Sequence, residues 1–239
     1  MKEQKTLLVT GASSEIGSRL IRDAADHYEF ILAHYCQNAD VLVKLKNEIG
    51  DHLVLLQADF SKLEEVSAII QSIDQMGYMP DHIVHLPSQK VNAQKFHKTD
   101  IQQYRSGYDL SVASIILILQ HFIPKMSRQH YGKIIFMLTS FTLHTPAKYQ
   151  APYITTKYAL LGLMRDLAGE YAEKGIMVNA ISPDMIQTKF LSDMPELIIQ
   201  QNAAQRPMRR NLTVEDVVPL LLYLLSDCGN VISGQNFGM

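Results

Sequence analysis

Cysteine is scarce in this chain: Cys36 and Cys228 are the only two among 239 residues. Two thiols cannot build a disulfide framework, so the default is a reducing compartment. An excess of charge of one sign is also missing, since 22 Lys and Arg stand against 24 Asp and Glu, a formal net charge of −2. A nucleic-acid-binding domain would be strongly basic, so no nucleic-acid partner is expected. No apolar run reaches the ~18 residues of a membrane span. The opening Met1-Lys2-Glu3-Gln4-Lys5 lacks the apolar stretch and small-residue cleavage site of a secretory signal. These absences predict a cytoplasmic protein with no membrane contact. What is present is enough apolar material for a core, 47% of residues, which excludes a disordered chain. The length suits one domain covering 1–239.

Short apolar runs alternate with longer runs of helical period. Strands are predicted at Lys5–Thr10, Glu29–Tyr35, His52–Gln57, His82–Leu86, Ile134–Leu138 and Ile176–Ile181. Between them Ile16, Leu20, Ile21 and Ala24 share one helix face, as do Val41, Leu42, Leu45 and Ile49, and Leu63, Val66, Ile69, Ile70 and Ile73. Gly50 reads as a C-cap. Long helices are predicted at Ile101–Arg128 and Pro152–Glu173, and a last one at Val214–Leu225. Strictly alternating strands and helices, with strands apolar throughout, predict an α/β fold with a doubly wound parallel sheet, Rossmann-type, in three αβα layers. Its ligand site belongs at the carboxyl ends of the strands, where the strand order reverses.

Two features carry chemistry. Thr10-Gly11-Ala12-Ser13-Ser14-Glu15-Ile16-Gly17 joins the first strand to the first helix. Such a turn aims backbone N–H groups and a helix N-terminus at a pyrophosphate, although a glycine-containing turn with no ligand has the same look. Farther on, Ser140 ends the fifth predicted strand, and Tyr153 and Lys157 stand four apart on one face of the next helix. An ammonium beside a phenol lowers the phenol pKa from ~10 and makes it a usable acid–base group.

With Gly132-Lys133-Ile134-Ile135 before the serine and Val178-Asn179-Ala180-Ile181-Ser182-Pro183 after the helix, the ordered set resembles the short-chain dehydrogenase/reductase family over nearly the whole chain. Ser140 lies thirteen residues before Tyr153, and Tyr153-Ile154-Thr155-Thr156-Lys157 fits the family's Tyr-x3-Lys. The resemblance implies that Tyr153 protonates a carbonyl oxygen, that Lys157 tunes it and holds the nicotinamide ribose, and that Ser140 orients the substrate. It places Gly11, Ser13, Ser14, Ile16, Tyr35, Asp59, Ile186 and Thr188 around a dinucleotide. An N-cap of the following helix is the alternative reading of Asp59.

The match is imperfect. Glu15 replaces a loop glycine and is expected to face solvent or the adenosine ribose. His85-Leu86-Pro87-Ser88 replaces Asn-Asn-Ala-Gly, with His85 more naturally a hydrogen-bonded core residue than a catalyst. Asp109 takes the place of the tetrad asparagine, and Pro183-Asp184 that of Pro-Gly. No acid or arginine follows the second strand in Ala33-His34-Tyr35-Cys36-Gln37-Asn38, which favours NADP(H) over NAD(H) by resemblance alone. No metal is expected. The subgroup most resembled, the 3-oxoacyl-[acyl-carrier-protein] reductases, implies reduction of a carrier-bound 3-oxoacyl thioester in fatty-acid or polyketide synthesis. Arg128, Lys125, Lys174 and Lys133 would meet the acidic carrier at helix ends flanking the cleft. Phe190 to Ala204 would cover the substrate. A homodimer or homotetramer along the long helices is implied, with Ile115–Leu119 suited to either interface or interior. Reduction of another alcohol or ketone, such as a sugar or steroid, and a non-catalytic nucleotide- or partner-binding role remain alternatives.

Overall fold

The computed structural model describes residues 5–239. Seven strands, Thr6–Thr10 (β1), Phe30–Tyr35 (β2), Leu53–Gln57 (β3), His82–His85 (β4), Gly132–Met137 (β5), Ile176–Ser182 (β6) and Asn236–Gly238 (β7), form one sheet. Its order is β3-β2-β1-β4-β5-β6-β7, and every pairing is parallel. Eight α-helices connect them: Glu15–Ala24 (α1), Asp40–Ile49 (α2), Leu63–Gln75 (α3), Ile101–Tyr108 (α4), Ser114–Gln129 (α5), Ala151–Tyr171 (α6), Glu196–Gln205 (α7) and Val214–Leu225 (α8). The predicted Rossmann-type arrangement is the observed one. The order reverses between β1 and β4.

Alternate strand residues feed two cores. Leu8, Leu32, Ile83, Ile134 and Val178 pack under α3, α5 and α6. Leu7, Ile31, Val84, Ile135 and Ile181 pack under α1, α2 and α8. Burial of both faces explains why the strands read as apolar without alternation.

Three features depart from expectation. β7 was not legible, because only three residues pair and the segment carries no apolar period. The long helix 101–128 is interrupted by a π turn at Asp109–Ala113, where the Ser114 N–H reaches back to the Asp109 carbonyl. Taken whole, Ile101–Gln129 is long and apolar enough to cross a membrane by length and composition, which the sequence reading had not credited. In the fold half of that apolar window is buried, with Ile115, Ile118, Leu119 and Phe122 inside the core.

Buried histidines stitch the layers together. His85, at the end of β4, donates from Nε2 to the Ser111 carbonyl at 2.8 Å, so its Nδ1 accepts from the Thr10 hydroxyl, also at 2.8 Å. One ring thereby joins β1, β4 and the π turn. His82 bridges the phenols of Tyr28 (2.6 Å) and Tyr131 (2.9 Å). Burial pushes His85 down to about 3 and His82 well below 6.5. A histidine whose folded pKa is depressed contributes stability above its unfolded pKa, and that stability is lost as pH falls below ~6.5. The unfolding free energy from urea titrations should therefore fall between pH 6.5 and pH 5, approaching a slope of about 1.4 kcal/mol per pH unit for each such histidine. His85→Asn should flatten that slope. A stability constant from pH 7 to pH 5 would contradict this account.

Candidate active site

The carboxyl ends of β1 and β4 open the crevice at the switch point. Gly11 turns at φ +70°, and a Cβ there would press within 3.2–3.3 Å of Leu86 and Pro87. Ser14 caps α1, its hydroxyl accepting the Gly17 N–H at 3.1 Å and donating to the Gly11 carbonyl at 2.8 Å. Gly17 must be glycine, because a Cβ would fall 2.7 Å from the Ala12 backbone. Behind the turn stands His34, which sequence reading passed over as part of a cofactor-selecting stretch. Its Nδ1 accepts the Gly11 N–H at 3.1 Å, its Nε2 donates to the Ala58 carbonyl at 3.0 Å, and its ring stacks on Phe60 at 3.6 Å. Burial lowers it to about 4, so it is neutral at pH 7, as its acceptor role requires.

This turn fits a dinucleotide. It offers a left-handed glycine, a capped helix N-terminus and a close helix–sheet approach, the three requirements for holding a pyrophosphate. Ser13 is half-buried and Ser14 exposed at the turn, and Ile16 is half-buried one residue into α1. Tyr35 ends β2. Asp59 follows β3, but its carboxylate is taken by the Ser61 amide (3.0 Å) and hydroxyl (2.7 Å), which hold it below the usual carboxylate range. Asp59 is therefore not the cap of α3, whose N-cap is Lys62 with no side-chain bond; it closes the turn that leads into the helix. Ile186 and Thr188 follow β6, fixed by the bridge from Ile186 to Leu212 and by a 3.3 Å bond from the Thr188 hydroxyl to the Ile186 carbonyl.

Glu15 is exposed, as expected, and it also has a partner within the protein. Its carboxylate accepts the Lys189 N–H at 2.8 Å, joining the start of α1 to the turn Lys189–Leu191.

On the other side of the crevice, Tyr153 and Lys157 rise from the first turns of α6, with Pro152 in its opening turn. Lys157 is fully buried and donates from Nζ to the Met137 carbonyl at 2.8 Å; the same Nζ lies 5.6 Å from the centre of the Tyr153 ring. Burial lowers the Lys157 ammonium to about 7. Tyr153 is raised to about 12, because burial outweighs a side-chain hydrogen bond from Thr139. The sequence reading expected the lysine to lower the phenol. In the cofactor-free protein desolvation wins over both groups, and the phenol keeps its proton at neutral pH.

The serine is also placed differently. β5 ends at Met137, and Ser140 opens the turn Ser140–Thr142. Its hydroxyl donates to Asp184 at 3.4 Å, and Asp184 also accepts from Asn202 at 3.3 Å and Arg206 at 3.0 Å. The neighbouring Thr139 side chain acts on the phenol against the effect of burial, a residue the sequence does not single out. Asp109 stands half-buried in the π turn, its carbonyl occupied by Ser114. Phe190 covers the tyrosine, ring centres 6.4 Å apart.

The expected basic surface is only partly there. Lys133 is buried and donates from Nζ to the carbonyls of Leu225 (3.2 Å) and Ser226, so it is no docking residue. Lys125 pairs with Asp74 at 2.6 Å. Arg128 and Lys174 are exposed. Because α5 and α6 run opposite to the strands, Lys125, Arg128 and Lys174 sit at the amino-terminal edge of the sheet, away from Tyr153 in the same chain. They do not flank its cleft as expected.

Glu15→Ala removes both the tie to Lys189 and a charge from the pyrophosphate side of the crevice. NADPH affinity, followed by fluorescence titration, should improve roughly two- to fivefold, the scale of one exposed charged contact. Unchanged or weaker binding would contradict this placement of Glu15.

A family profile described as enoyl-(acyl carrier protein) reductase matches residues 11–239. The 3-oxoacyl-[acyl-carrier-protein] reductase FabG of Staphylococcus epidermidis is 28% identical over 235 residues, covering 97% of this chain and 95% of the relative. A 3-oxoacyl-[acyl-carrier protein] reductase from Brucella melitensis, solved with bound NAD, superposes with a TM-score of 0.85 at 21% identity, over 100% of this chain and 90% of that one. The L-sorbose reductase of Gluconobacter frateurii, complexed with NADPH and L-sorbose, gives a TM-score of 0.87 at 21% identity, over 100% and 95%. With the glycine turn, half-buried Tyr153 beside buried Lys157 and the sheet order in place along the same span, the chain belongs to the short-chain dehydrogenase/reductase family of NAD(P)-dependent oxidoreductases.

Proposed function

We propose that this chain reduces the ketone of a 3-oxoacyl thioester to the 3-hydroxyacyl form with NADPH, the substrate arriving on an acyl carrier protein in fatty-acid or polyketide-type synthesis. The observation that carries this reading is the half-buried Tyr153 beside buried Lys157 and Thr139 at the switch-point crevice, in a chain similar along its length to 3-oxoacyl reductases.

When bound, the nicotinamide cofactor supplies the hydride; the protein supplies position and a proton. The Tyr153 phenol, protonated at neutral pH, is in the right state to donate to the carbonyl oxygen as charge develops there. Thr139 supplies the hydroxyl that orients the phenol and, with it, the substrate oxygen. Lys157, with a pKa near neutrality, gains charge at small cost when an anion forms beside it, and so stabilises the phenolate left after transfer. Ser140 acts through Asp184, holding the covering segment over the site. Asp109 contributes through the π turn that His85 fixes. Gly11, Ser13, Ser14, Ile16, Tyr35, Asp59, Ile186 and Thr188 hold the dinucleotide.

The working unit in this reading is one domain of residues 1–239 acting in the cytoplasm as a homodimer or homotetramer. Carrier docking on Arg128, Lys125 and Lys174 then serves the cleft of a second copy, since these cations stand at the far edge of their own sheet.

Following NADPH absorbance with acetoacetyl thioester tests the reaction. Tyr153→Phe should cost about 10²–10⁴-fold in kcat, the range of a positioned general acid. Thr139→Ala should cost more in kcat than Ser140→Ala, whose effect falls on KM. Equal inactivity of wild type and Tyr153→Phe on thioesters and simple ketones would overturn the enzymatic reading. A larger kcat loss in Ser140→Ala would return the orienting role to the serine.

A further inference from the structure

The loop after β4 and the loop after β5 meet beside the catalytic tyrosine. The cavity against the Tyr153 ring is walled by Lys90 of the first loop and by Gln103 of α4. Gln103 donates to the Gln94 side chain at 3.0 Å, and the Gln94 N–H donates to the Tyr149 carbonyl of the second loop at 2.8 Å. These bonds join the cavity wall to both loops, so the residues next to Gln94 and Tyr149 form an outer rim of the site. Those neighbours are Lys95 and Lys148. Lys98 closes the same turn as Lys95, its N–H donating to the Lys95 carbonyl at 2.8 Å.

The rim is charged against the trend of the molecule. Residues 89–100 and 143–150 hold four lysines and one acid, Asp100, in a chain whose net charge is −2. Asp100 is engaged in capping α4, where it accepts the Gln102 N–H at 2.8 Å, and Lys90 is paired with Asp193 at 2.6 Å. Lys95, Lys98 and Lys148 are exposed and have no carboxylate partner among the described residues. Two aromatic rings stand among them: Phe96 is 75% exposed and Tyr149 50% exposed. Tyr149 also holds φ +69°, a left-handed backbone that is costly for a bulky residue. Backbone strain of this kind persists where the surrounding structure imposes it, and here it leaves Lys148 and Tyr149 both at the surface. Aromatic contacts inside a charged, hydrated margin are the make-up of a protein-docking surface, and a positive margin selects an acidic partner.

We propose that an acidic carrier protein docks on this rim of the same chain whose Tyr153 it feeds, with Phe96 and Tyr149 as apolar contacts and Lys95, Lys98 and Lys148 facing its acids. This rests on the carrier-bound reading given above and gives it a dock within one chain, in addition to the helix-end cations of a second copy. Distance favours the rim. Lys125, Arg128 and Lys174 stand at the opposite edge of the sheet, and the six residues of β5 alone span about 20 Å. Lys90, between the rim and Tyr153, lines the cavity itself, so a carrier seated here has its thioester at the cavity mouth.

The test compares acetoacetyl carried on a bacterial acyl carrier protein with the acetoacetyl thioester of N-acetylcysteamine, which is uncharged and brings no protein to dock. For wild type the carrier KM should rise roughly tenfold from about 50 to about 500 mM salt, while the small thioester changes less than about twofold. The triple reversal Lys95→Glu, Lys98→Glu and Lys148→Glu should raise the carrier KM roughly tenfold or more, at about two- to fivefold per exposed contact, and leave turnover of the small thioester unchanged. Phe96→Ala should raise the carrier KM about fivefold. A carrier KM unmoved by the triple reversal, or raised only by Arg128→Glu with Lys174→Glu, would overturn the rim and leave the thioester reading standing. A change of oligomeric state in the triple variant, seen by sedimentation, would assign the rim to a second copy and overturn the proposal as well. If neither thioester is turned over, anisotropy of fluorescently labelled carrier decides: binding that the triple reversal abolishes sustains the dock while the thioester reading falls, and no binding overturns both.

Discussion

A fully buried amine sets the terms for the catalytic edge. Lys157 has no counter-ion and one strong acceptor, the Met137 carbonyl at the end of β5. That bond ties the start of α6 to the end of the strand, so the helix enters at one angle and Tyr153, one turn earlier, is fixed with it. Holding a full positive charge there would be costly, and the group answers by giving up its proton near pH 7. The phenol answers the same desolvation in the opposite sense and keeps its proton. One environment therefore prepares both groups: an acid that stays protonated until a base appears, and an amine that charges when an anion appears. Their separation in the folded state is the kind of opposed tuning that lets one crevice run proton chemistry at neutral pH.

The glycine turn depends on a second buried group of similar character. His34 and His85 stand on adjacent parts of the same edge, each neutral, each donating to a backbone carbonyl on one side and accepting on the other. An imidazole spans more distance than an asparagine amide and joins elements farther apart. His85 reaches from β4 across to the π turn, and the widened helix there is what presents the Ser111 carbonyl to it. The replacement of an asparagine-rich loop by His85-Leu86-Pro87-Ser88 thus leaves the crevice intact, because the lost amide contacts are replaced by a ring bonded at both ends.

Much of the fold could be read from periodicity, since each buried strand and each amphipathic helix leaves its own spacing in the sequence. Val214–Leu225 was bounded to the residue. What escaped were features set by register and not by period. β7 is three residues held by β6. The π turn is one extra residue within a helix whose apolar stripe runs on past it. Thr139 and Ser140 are adjacent hydroxyls, and only the path of the chain after Met137 decides which one turns toward the phenol. The direction of the Tyr153 shift escaped for another reason: spacing reports that two groups are near, but the balance between a neighbouring charge and desolvation depends on depth, which spacing does not carry.

The segment after β6 shows how weakly a functional cover can be held. No residue of α7 is buried, and of the turn before it only Leu191 is, so little apolar area keeps the segment closed. It stays in place through polar ties: Asp184 to Asn202, Arg206 and Ser140 on one side, Lys90 to Asp193 on another, and Glu15 to the Lys189 amide at the crevice mouth. The Lys90 and Glu15 ties are exposed to solvent, where such contacts are worth about 0–1 kcal/mol each and weaken with salt. The Asp184–Arg206 pair is the better sheltered, and it sits on Ser140, directly beside the catalytic turn. Of these ties the exposed Lys90 and Glu15 contacts are the ones that salt screens most, and the sheltered Asp184–Arg206 pair is the one it screens least.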